Sequence, residues 1–268
     1  MEPLAPSWRE WTLAPQRAGA RTTARVVLVN DGSATWRSRG EDGLQLSYHW
    51  LDARGNAIVW DGLRAPFPRS VAPGEAIEVA APLVAPRPPG RYVLRFDLVE
   101  EHRFWLSEVG IPTRDVEIDV LPLIDDRRLG VVVHGGPDGG TTAALAAQEE
   151  PLVDDAPTAT AHLVAGARPA PDWSRLVLDA HAEGWQAVGP AVRTEGGALA
   201  QRLGGHALRP WAPAVRNPRF ELPLVLPSLV DGLAPTTHHG LPAYAGAGGL
   251  FEGRAVVTLP RRSGRPPR

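Results

Sequence analysis

The chain has 268 residues, 43% of them apolar, with a formal net charge of −2 at pH 7 and no cysteine. This length suits one large or two ordinary domains, and the composition is typical of a soluble globular protein. The near-neutral charge gives no general attraction to nucleic acid, and without cysteine the chain has no disulfide, zinc–thiolate site or cysteine nucleophile. All basic residues other than histidine are arginine, which excludes a Walker-type lysine and a Schiff-base lysine.

The N-terminal stretch MEPLAPSWREWTLAP has neither a basic segment nor an apolar segment of the kind that a signal peptide needs. The longest apolar run, Leu222 to Val230, is short and interrupted by proline, so it cannot span a bilayer. We therefore expect a cytoplasmic protein without an integral membrane segment. Peripheral association with the inner membrane is left open.

Up to about Pro122 the chain alternates apolar and polar residues in short runs that are separated by turn residues. This pattern predicts the antiparallel strands of a β-sandwich. In the clearest strand, GRYVLRFDLV, the residues Tyr92, Leu94 and Phe96 share one face. Tyr92 also follows the turn that opens this long strand, where an Ig-like sandwich carries its tyrosine corner.

The stretch LSYHWLDARGNAIVWDG predicts a β-hairpin. Tyr48 and Trp50 fall on one face of its first strand, so we expect Trp50 in the core. His49 falls on the opposite face, where we expect an exposed side chain. At the end of the hairpin, Trp60, Asp61 and Arg64 are the candidates for contact with a ligand. The alternative is that Trp60 only covers the sandwich as a lid.

The second half begins with a βα unit, in which a strand from Leu129 to Val133 leads through a glycine-rich loop into a helix from about Gly140 to Gln148. A second helix is predicted from about Asp172 to Ala182, and WQAVGPAV reads as a further strand. From about Thr194 the chain is rich in proline and glycine, so we expect irregular structure there.

Two acidic or glycine-rich segments could carry chemistry in this half. Gly135, Gly136 and Asp138 precede a helix, where backbone N–H groups can hold an anion or phosphate; a plain tight turn is the alternative. Asp154 and Asp155 are paired acids that could bind a metal or a nucleotide, or serve as ordinary loop and cap residues.

The segment from VNDGSATW through GLQLSYHW, VAPGEAIEV and RPPGRYVLRFDLV to RFWLSEVG resembles the four-tryptophan Ig-like domain. It is also similar to Ig-like modules attached to bacterial cell-surface polysaccharide enzymes and to the glycan-binding sandwich of O-antigen exporters. The resemblance covers roughly Trp8 to Leu121. It implies a module that binds glycans or proteins and has no catalytic residues of its own.

The segments LGVVVHGGPDGGTTAALAAQEEPLVDDAP and GARPAPDWSRLVLDAHAEGWQAVGPAV resemble a shortened family 2 glycosyltransferase. The metal-binding Asp-x-Asp of that family should lie just before RPAPDW, but this chain has AHLVAGARPAP there. No acidic residue lies between Asp155 and Asp172. Because sugar transfer in that family needs a cation to neutralise the leaving diphosphate, the resemblance implies a degenerate transferase.

Together these observations predict a mainly β protein with a small α/β part: an Ig-like antiparallel β-sandwich over 1–122 and a loop-rich, reduced GT-A-like α/β domain over 126–268. The predicted function is a non-catalytic accessory protein of bacterial cell-surface polysaccharide biosynthesis. Its partner would be a glycan or a biosynthetic enzyme, with a nucleotide sugar as a further candidate, and no nucleic acid, cofactor or metal.

Two alternatives stay open. One is a live glycosyltransferase in which Asp138, Asp154 and Asp155 converge on one cleft beside the loop Gly135–Gly140. The other is a purely structural scaffold.

Overall fold

The computed structural model describes residues 4–39, 41–195, 223–238 and 240–260. The chain divides into two compact units, Met1–Pro122 (unit 1) and Leu123–Arg268 (unit 2). Both units are built mainly from β-strands, and each is described by itself.

In unit 1 the described residues form ten strands and one short 3-10 helix. These elements are β1 (Pro6–Thr12), β2 (Arg21–Asn30), β3 (Ser38–Arg39), β4 (Asp42–Leu51), β5 (Ala57–Val59), β6 (Ala65–Pro66), β7 (Ala76–Val84), β8 (Gly90–Glu100), β9 (Phe104–Trp105), the 3-10 helix Leu106–Val109 and β10 (Arg114–Val120). They form a three-stranded sheet in the order β1-β2-β7 and a larger sheet in the order β10-β8-β4-β3. In the larger sheet β5 and β6 also pair with β4, and β9 pairs with β8. Every pairing between these strands is antiparallel.

The core of unit 1 lies between its two sheets. Alternate residues of β4 and β8, including Tyr48, Trp50 and Phe96, pack against alternate residues of β2 and β7. Trp50 is fully buried, as predicted. Its indole N–H donates to the carbonyl oxygen of Val84 over 2.9 Å, and the Tyr48 hydroxyl accepts from the Val84 N–H over 3.0 Å. Two side chains of one sheet thereby satisfy both backbone groups of one residue in the other.

The turn before β8 is fixed by the tyrosine that the sequence singled out. The Tyr92 hydroxyl donates to the carbonyl oxygen of Pro88, four residues upstream, over 2.8 Å. A tyrosine corner makes a hydrogen bond of this kind, to the backbone a few residues upstream.

The described residues of unit 2 form nine strands and two helices. They are β11 (Leu129–His134), α1 (Gly139–Ala146), β12 (Ala159–Val164), β13 (Arg168–Pro169), α2 (Trp173–Ala182), β14 (Ala187–Thr194), β15 (Leu224–Val225), β16 (Ser228–Val230), β17 (Thr236–His238), β18 (Leu241–Tyr244) and β19 (Gly249–Leu259). Six strands form a sheet in the order β11-β12-β16-β14-β19-β13, and three form a second sheet in the order β15-β18-β17. Among the described residues, no helix has the length and apolar character needed to cross a bilayer.

Both predicted helices and both predicted strands of unit 2 are present. The six-stranded sheet is mixed, with parallel pairing between β11 and β12 and between β14 and β19 and antiparallel pairing elsewhere. The expectation of irregular structure after Thr194 is wrong for residues 223–238 and 240–260, which contain five strands. For residues 196–222 and 261–268 this expectation lies outside the described residues. The longest of them, β19, has an irregularity in its register against β14 after Glu252, which obscures the alternation in its sequence.

A buried histidine joins α2 to the six-stranded sheet. His181 is fully buried; its Nδ1–H donates to the carbonyl oxygen of Trp185 over 2.7 Å, and its Nε2 accepts from the Ser228 hydroxyl over 2.9 Å. The neutral imidazole therefore has both of its ring nitrogens satisfied. Burial lowers the pKa of His181 to about 4, against a smaller raising effect of the Trp185 carbonyl.

This pKa predicts a specific loss of stability in acid. An unfolded His181 binds a proton below about pH 6.5, whereas the folded protein resists protonation until about pH 4. The free energy of unfolding should therefore fall by about 3 kcal/mol between these two pH values through this residue. When the free energy of unfolding is measured in urea at several pH values, it should decrease less between pH 6.5 and pH 4 for His181→Gln than for the wild type. An equal decrease in both proteins would contradict the prediction.

Candidate functional site

A cluster of polar and aromatic side chains covers the face of β4 that points away from the core of unit 1. We name it the outer-face cluster; it comprises His49, Trp60, Arg64, Asp97 and Trp105. His49 is fully buried, so the expectation that it would be exposed is wrong. The alternation placed it correctly on the outer face, but Trp60 and Trp105 pack over that face and shield it from water.

His49 is held by hydrogen bonds from both ring nitrogens. Its Nδ1–H donates to the carbonyl oxygen of Trp60, while Nε2 lies 3.4 Å from Oδ2 of the buried Asp97. The other carboxylate oxygen of Asp97 accepts from the Leu98 N–H over 2.7 Å. Because a carbonyl oxygen only accepts, Nδ1 carries the proton of the hydrogen bond to Trp60. The pair thus fixes the position of the imidazole ring.

Trp60 is stacked on this ring. The ring centroids of His49 and Trp60 are 4.1 Å apart with an interplanar angle of 22°, and Trp105 lies 4.3 Å from His49 on a tilted plane. Trp60 is nevertheless 43% exposed, and it is the only exposed aromatic side chain among the described residues. Ile58, two residues earlier, is 47% exposed. One face of the indole is therefore supported by protein, and part of the ring is open to solvent.

Arg64 connects the cluster to two carboxylates. Its Nε donates to Glu101 over 2.8 Å and its Nη1 to Asp61 over 2.7 Å and to the carbonyl oxygen of Gly62 over 2.8 Å. Its guanidinium carbon lies 4.7 Å from the ring centroid of Trp105. Burial lowers the pKa of Arg64, but the hydrogen bonds to Glu101 and Asp61 outweigh burial and the pKa is raised overall. Arg64 is therefore a fixed cation with its donors already directed.

The structure thus brings together the three residues that the sequence suggested for ligand contact. Trp60 contributes an exposed ring, Asp61 a carboxylate whose side chain is 72% exposed, and Arg64 a cation whose side chain is 25% exposed. Trp60 also fulfils the alternative role of a lid, because it covers His49. The two roles are compatible, because one face of the ring covers His49 and the rest of the ring is available for contact with a ligand.

An open groove of about 500 Å³ lies next to this cluster. Its lining includes Arg37, Arg39, Glu100 and Glu101, together with the buried Trp36. Glu101 belongs both to this groove and to the ion pair with Arg64. The groove is therefore polar, with charges of both signs, and shares a side chain with the outer-face cluster.

The glycine-rich loop of unit 2 forms a turn into α1. Gly135 and Gly136 adopt φ angles of 89° and 79°, which favour glycine. Asp138 is the N-cap of α1, where its carboxylate accepts from the Thr141 N–H over 2.7 Å. That hydrogen bond is the main cause of the lowered pKa of Asp138. The carboxylate thus satisfies the helix end itself.

Asp154 and Asp155 lie at the other end of β11 from this loop. The Val153 N–H donates to the carbonyl oxygen of Leu129, the first residue of β11, whereas the glycine loop follows His134, its last residue. A six-residue strand separates these ends by about 17 Å. The convergence of Asp138 with Asp154 and Asp155 that a live transferase requires is therefore not formed. Within the described parts of the chain, no group of three or more histidine, aspartate or glutamate side chains could hold a metal ion.

Three members of the outer-face cluster were not predicted as site residues: His49, Asp97 and Trp105. Alternation does place Asp97 on the same face of β8 as Arg95, and the structure pairs Ser47 of β4 directly with Asp97. The sequence therefore indicated the face of β8 on which Asp97 lies, but the register between β4 and β8 was needed to place it beside His49. Trp105 belongs to a two-residue strand that has no periodicity of its own.

No protein-family model matches the chain, and no curated protein matches it. Among solved structures, the chain is similar to a family 123 glycoside hydrolase from Clostridium perfringens, with 12% identity and a TM-score of 0.25 over 48% of this chain and 26% of that one. It is also similar to AvmM, which catalyses macrocyclization in alchivemycin A biosynthesis (9% identity, TM-score 0.25, 45% and 89% of the two chains). A third is the PapD-like domain 7 of human CEP192 (12%, 0.22, 45% and 85%). The chain spans about a quarter of the hydrolase, and similarity at this level assigns neither a family nor an activity.

The outer-face cluster makes a testable contribution to stability. Replacing Arg64 by methionine keeps the apolar part of the side chain but removes its bonds to Asp61 and to Glu101, whose side chain is only 19% exposed. We expect the free energy of unfolding in urea to fall by about 1–2 kcal/mol.

The matched control is Arg91→Met, which breaks the exposed ion pair with Asp119 on the edge strand β10. Because exposed ion pairs contribute little, this variant should unfold as the wild type does. Equal effects of the two substitutions would show that the Arg64 network contributes no more than a surface pair.

Proposed function

We propose that unit 1 is an Ig-like, non-catalytic module that binds a glycan through the outer-face cluster, with Trp60 as the platform for a sugar ring. We further propose that the protein is an accessory component of bacterial cell-surface polysaccharide biosynthesis. This second part rests on the resemblance of residues from Trp8 to Leu121 to modules found in that setting.

The observation that carries the proposal is the partly exposed, supported ring of Trp60. An indole left 43% exposed keeps apolar surface in contact with water. A flat aromatic surface suits the apolar C–H face of a pyranose ring, which it can cover without losing a hydrogen bond. The stacked His49 beneath fixes the orientation of the indole, so little side-chain entropy is lost on binding.

The polar neighbours of Trp60 suit the rim of a sugar. The exposed carboxylate of Asp61 accepts hydrogen bonds from hydroxyl groups, and the guanidinium of Arg64 donates them. Because Arg64 is already held by Glu101 and Asp61, these groups are ordered before a ligand arrives. A few directed polar groups beside one apolar surface are the usual composition of a small-ligand site.

The size of the apolar surface favours a glycan over a protein partner. Protein interfaces are usually organised around a cluster of buried apolar anchors, whereas the surface here consists of Trp60 with Ile58 beside it. The groove, which is lined by charged side chains and includes Glu101, adds polar surface next to this aromatic one. A chain of sugar residues, with alternating apolar and hydroxyl surfaces, fits this combination.

For unit 2 we propose a reduced, GT-A-like unit without transferase activity. Support comes from the use of Asp138 as a helix cap and from the position of Asp154 and Asp155 at the opposite end of β11. Its role is then to support the binding module rather than to transfer a sugar.

The test is isothermal titration with purified capsular and O-antigen polysaccharides and with short neutral oligosaccharides. At least one of these should bind, and Trp60→Ala should weaken that binding about tenfold or more, as expected for the loss of a stacking contact of about 1–2 kcal/mol. The control Val109→Ala shortens another exposed apolar side chain, outside the cluster, and should leave the affinity unchanged.

Two outcomes contradict the proposal: binding that is equal in the wild type and in Trp60→Ala, or no binding to any glycan of the panel. The same titration with UDP- and GDP-sugars in the presence of manganese should give no heat. Manganese-dependent binding that Asp154→Ala abolishes would favour the transferase instead.

A further inference from the structure

Two histidines come together on neighbouring strands of unit 2. His134 is the last residue of β11 and His162 lies in β12, and these strands pair in parallel with Val132 opposite His162 and His134 opposite Val164. The two histidines are therefore diagonal neighbours on one face of the sheet. The alternate residues Val131 and Leu163 belong to the apolar core of the unit, so the histidines lie on the face that points away from this core.

The ring nitrogens of this pair converge. Nε2 of His134 lies 3.2 Å from Nδ1 of His162, and the ring centroids are 5.4 Å apart. Two imidazole nitrogens bound to one metal ion at about 2.0–2.1 Å are about 3.4 Å apart in tetrahedral geometry. In square-planar geometry the neighbouring ligands are about 2.9 Å apart. The observed separation lies between these two values.

A neutral imidazole has one nitrogen with a lone pair for a metal ion, while its other nitrogen carries the proton. Burial, and secondly the nearby charge of His134, lowers the pKa of His162 below its ordinary value. His162 is 8% exposed, whereas His134 is exposed, so an ion can approach from the side of His134. Without an ion, one of the two converging nitrogens carries the proton of an N–H···N hydrogen bond. Metal binding requires only that this proton moves to the other nitrogen of its ring.

We propose that His134 and His162 bind a divalent transition-metal ion, of the class of Zn²⁺, Ni²⁺ or Cu²⁺. Imidazole nitrogen is a preferred ligand of these ions, whereas Mg²⁺ and Ca²⁺ require oxygen ligands. Elsewhere in the described residues, no third histidine, aspartate or glutamate completes a larger ligand group. Within the described part of the chain, the ion would therefore have these two imidazole ligands.

The experiment is calorimetric titration of tag-free full-length protein with the chloride salts of nickel, zinc, copper and magnesium near neutral pH. Nickel, zinc and copper should bind with copper tightest, and magnesium should give no heat, in line with the general order of affinities for nitrogen ligands. His134→Asn and His162→Asn should each weaken nickel binding about tenfold or more, because either variant leaves one imidazole ligand. His134 is exposed, so its replacement tests the site without disturbing the core.

The matched control is His102→Asn in unit 1. It also removes one exposed histidine, and asparagine tolerates the φ of 62° at this position. Its affinity for nickel should equal that of the wild type. Copper bound to the wild type should give an electron paramagnetic resonance spectrum with two nitrogen ligands, and copper bound to His134→Asn should not.

Nickel binding that neither His134→Asn nor His162→Asn weakens would place the ion elsewhere and overturn the proposal, as would the absence of nickel, zinc and copper binding. Binding of glycans is measured separately through Trp60 in unit 1, so either proposal can fail without the other.

Discussion

The strand β4 is buried on both of its faces, and the rest of unit 1 follows from this constraint. Ser47 and His49 point away from the core but have almost no contact with water. Buried polar groups are costly unless they are hydrogen-bonded, and these two find their partners in the carbonyl oxygens of Leu63 and Trp60 and in the carboxylate of Asp97. The hydrogen bonds of Ser47 and His49 therefore hold the segment from Trp60 to Leu63 against the outer face of β4. In this position part of the Trp60 ring is exposed.

Side chains on the inner face of β4 also hold the three-stranded sheet in place through hydrogen bonds. Tyr48 and Trp50 bind the two backbone groups of Val84 in β7, so the larger sheet is joined to the smaller one by directional bonds as well as by apolar contact. The Trp60 ring, which we propose as a ligand platform, is then only one strand away from this core. Precise sites are usually built on regular elements that neighbouring side chains hold in place, and Trp60 stacked on His49 satisfies this condition.

Much of unit 1 could be predicted because alternation in a strand is a local property of the sequence. It identified the inward face of β4 and the burial of Trp50. What covers the outer face could not be read in this way, because the answer depends on the register of distant segments. His49 was expected in solvent for that reason, and Asp97 was not recognised as its partner.

Unit 2 shows the same limit at its candidate sites. Asp138 and the pair Asp154 and Asp155 appear close in sequence, but the glycine loop follows the end of β11 and the paired acids lie beside its start. His134 and His162 are 28 residues apart, and parallel pairing places their ring nitrogens within contact distance. Whether two side chains can act together is decided by the strand end at which each one lies and by the register between the strands. The spacing of residues along the chain gives neither the strand end nor the register, so the convergence of these side chains could be recognised only from the pairing of the strands.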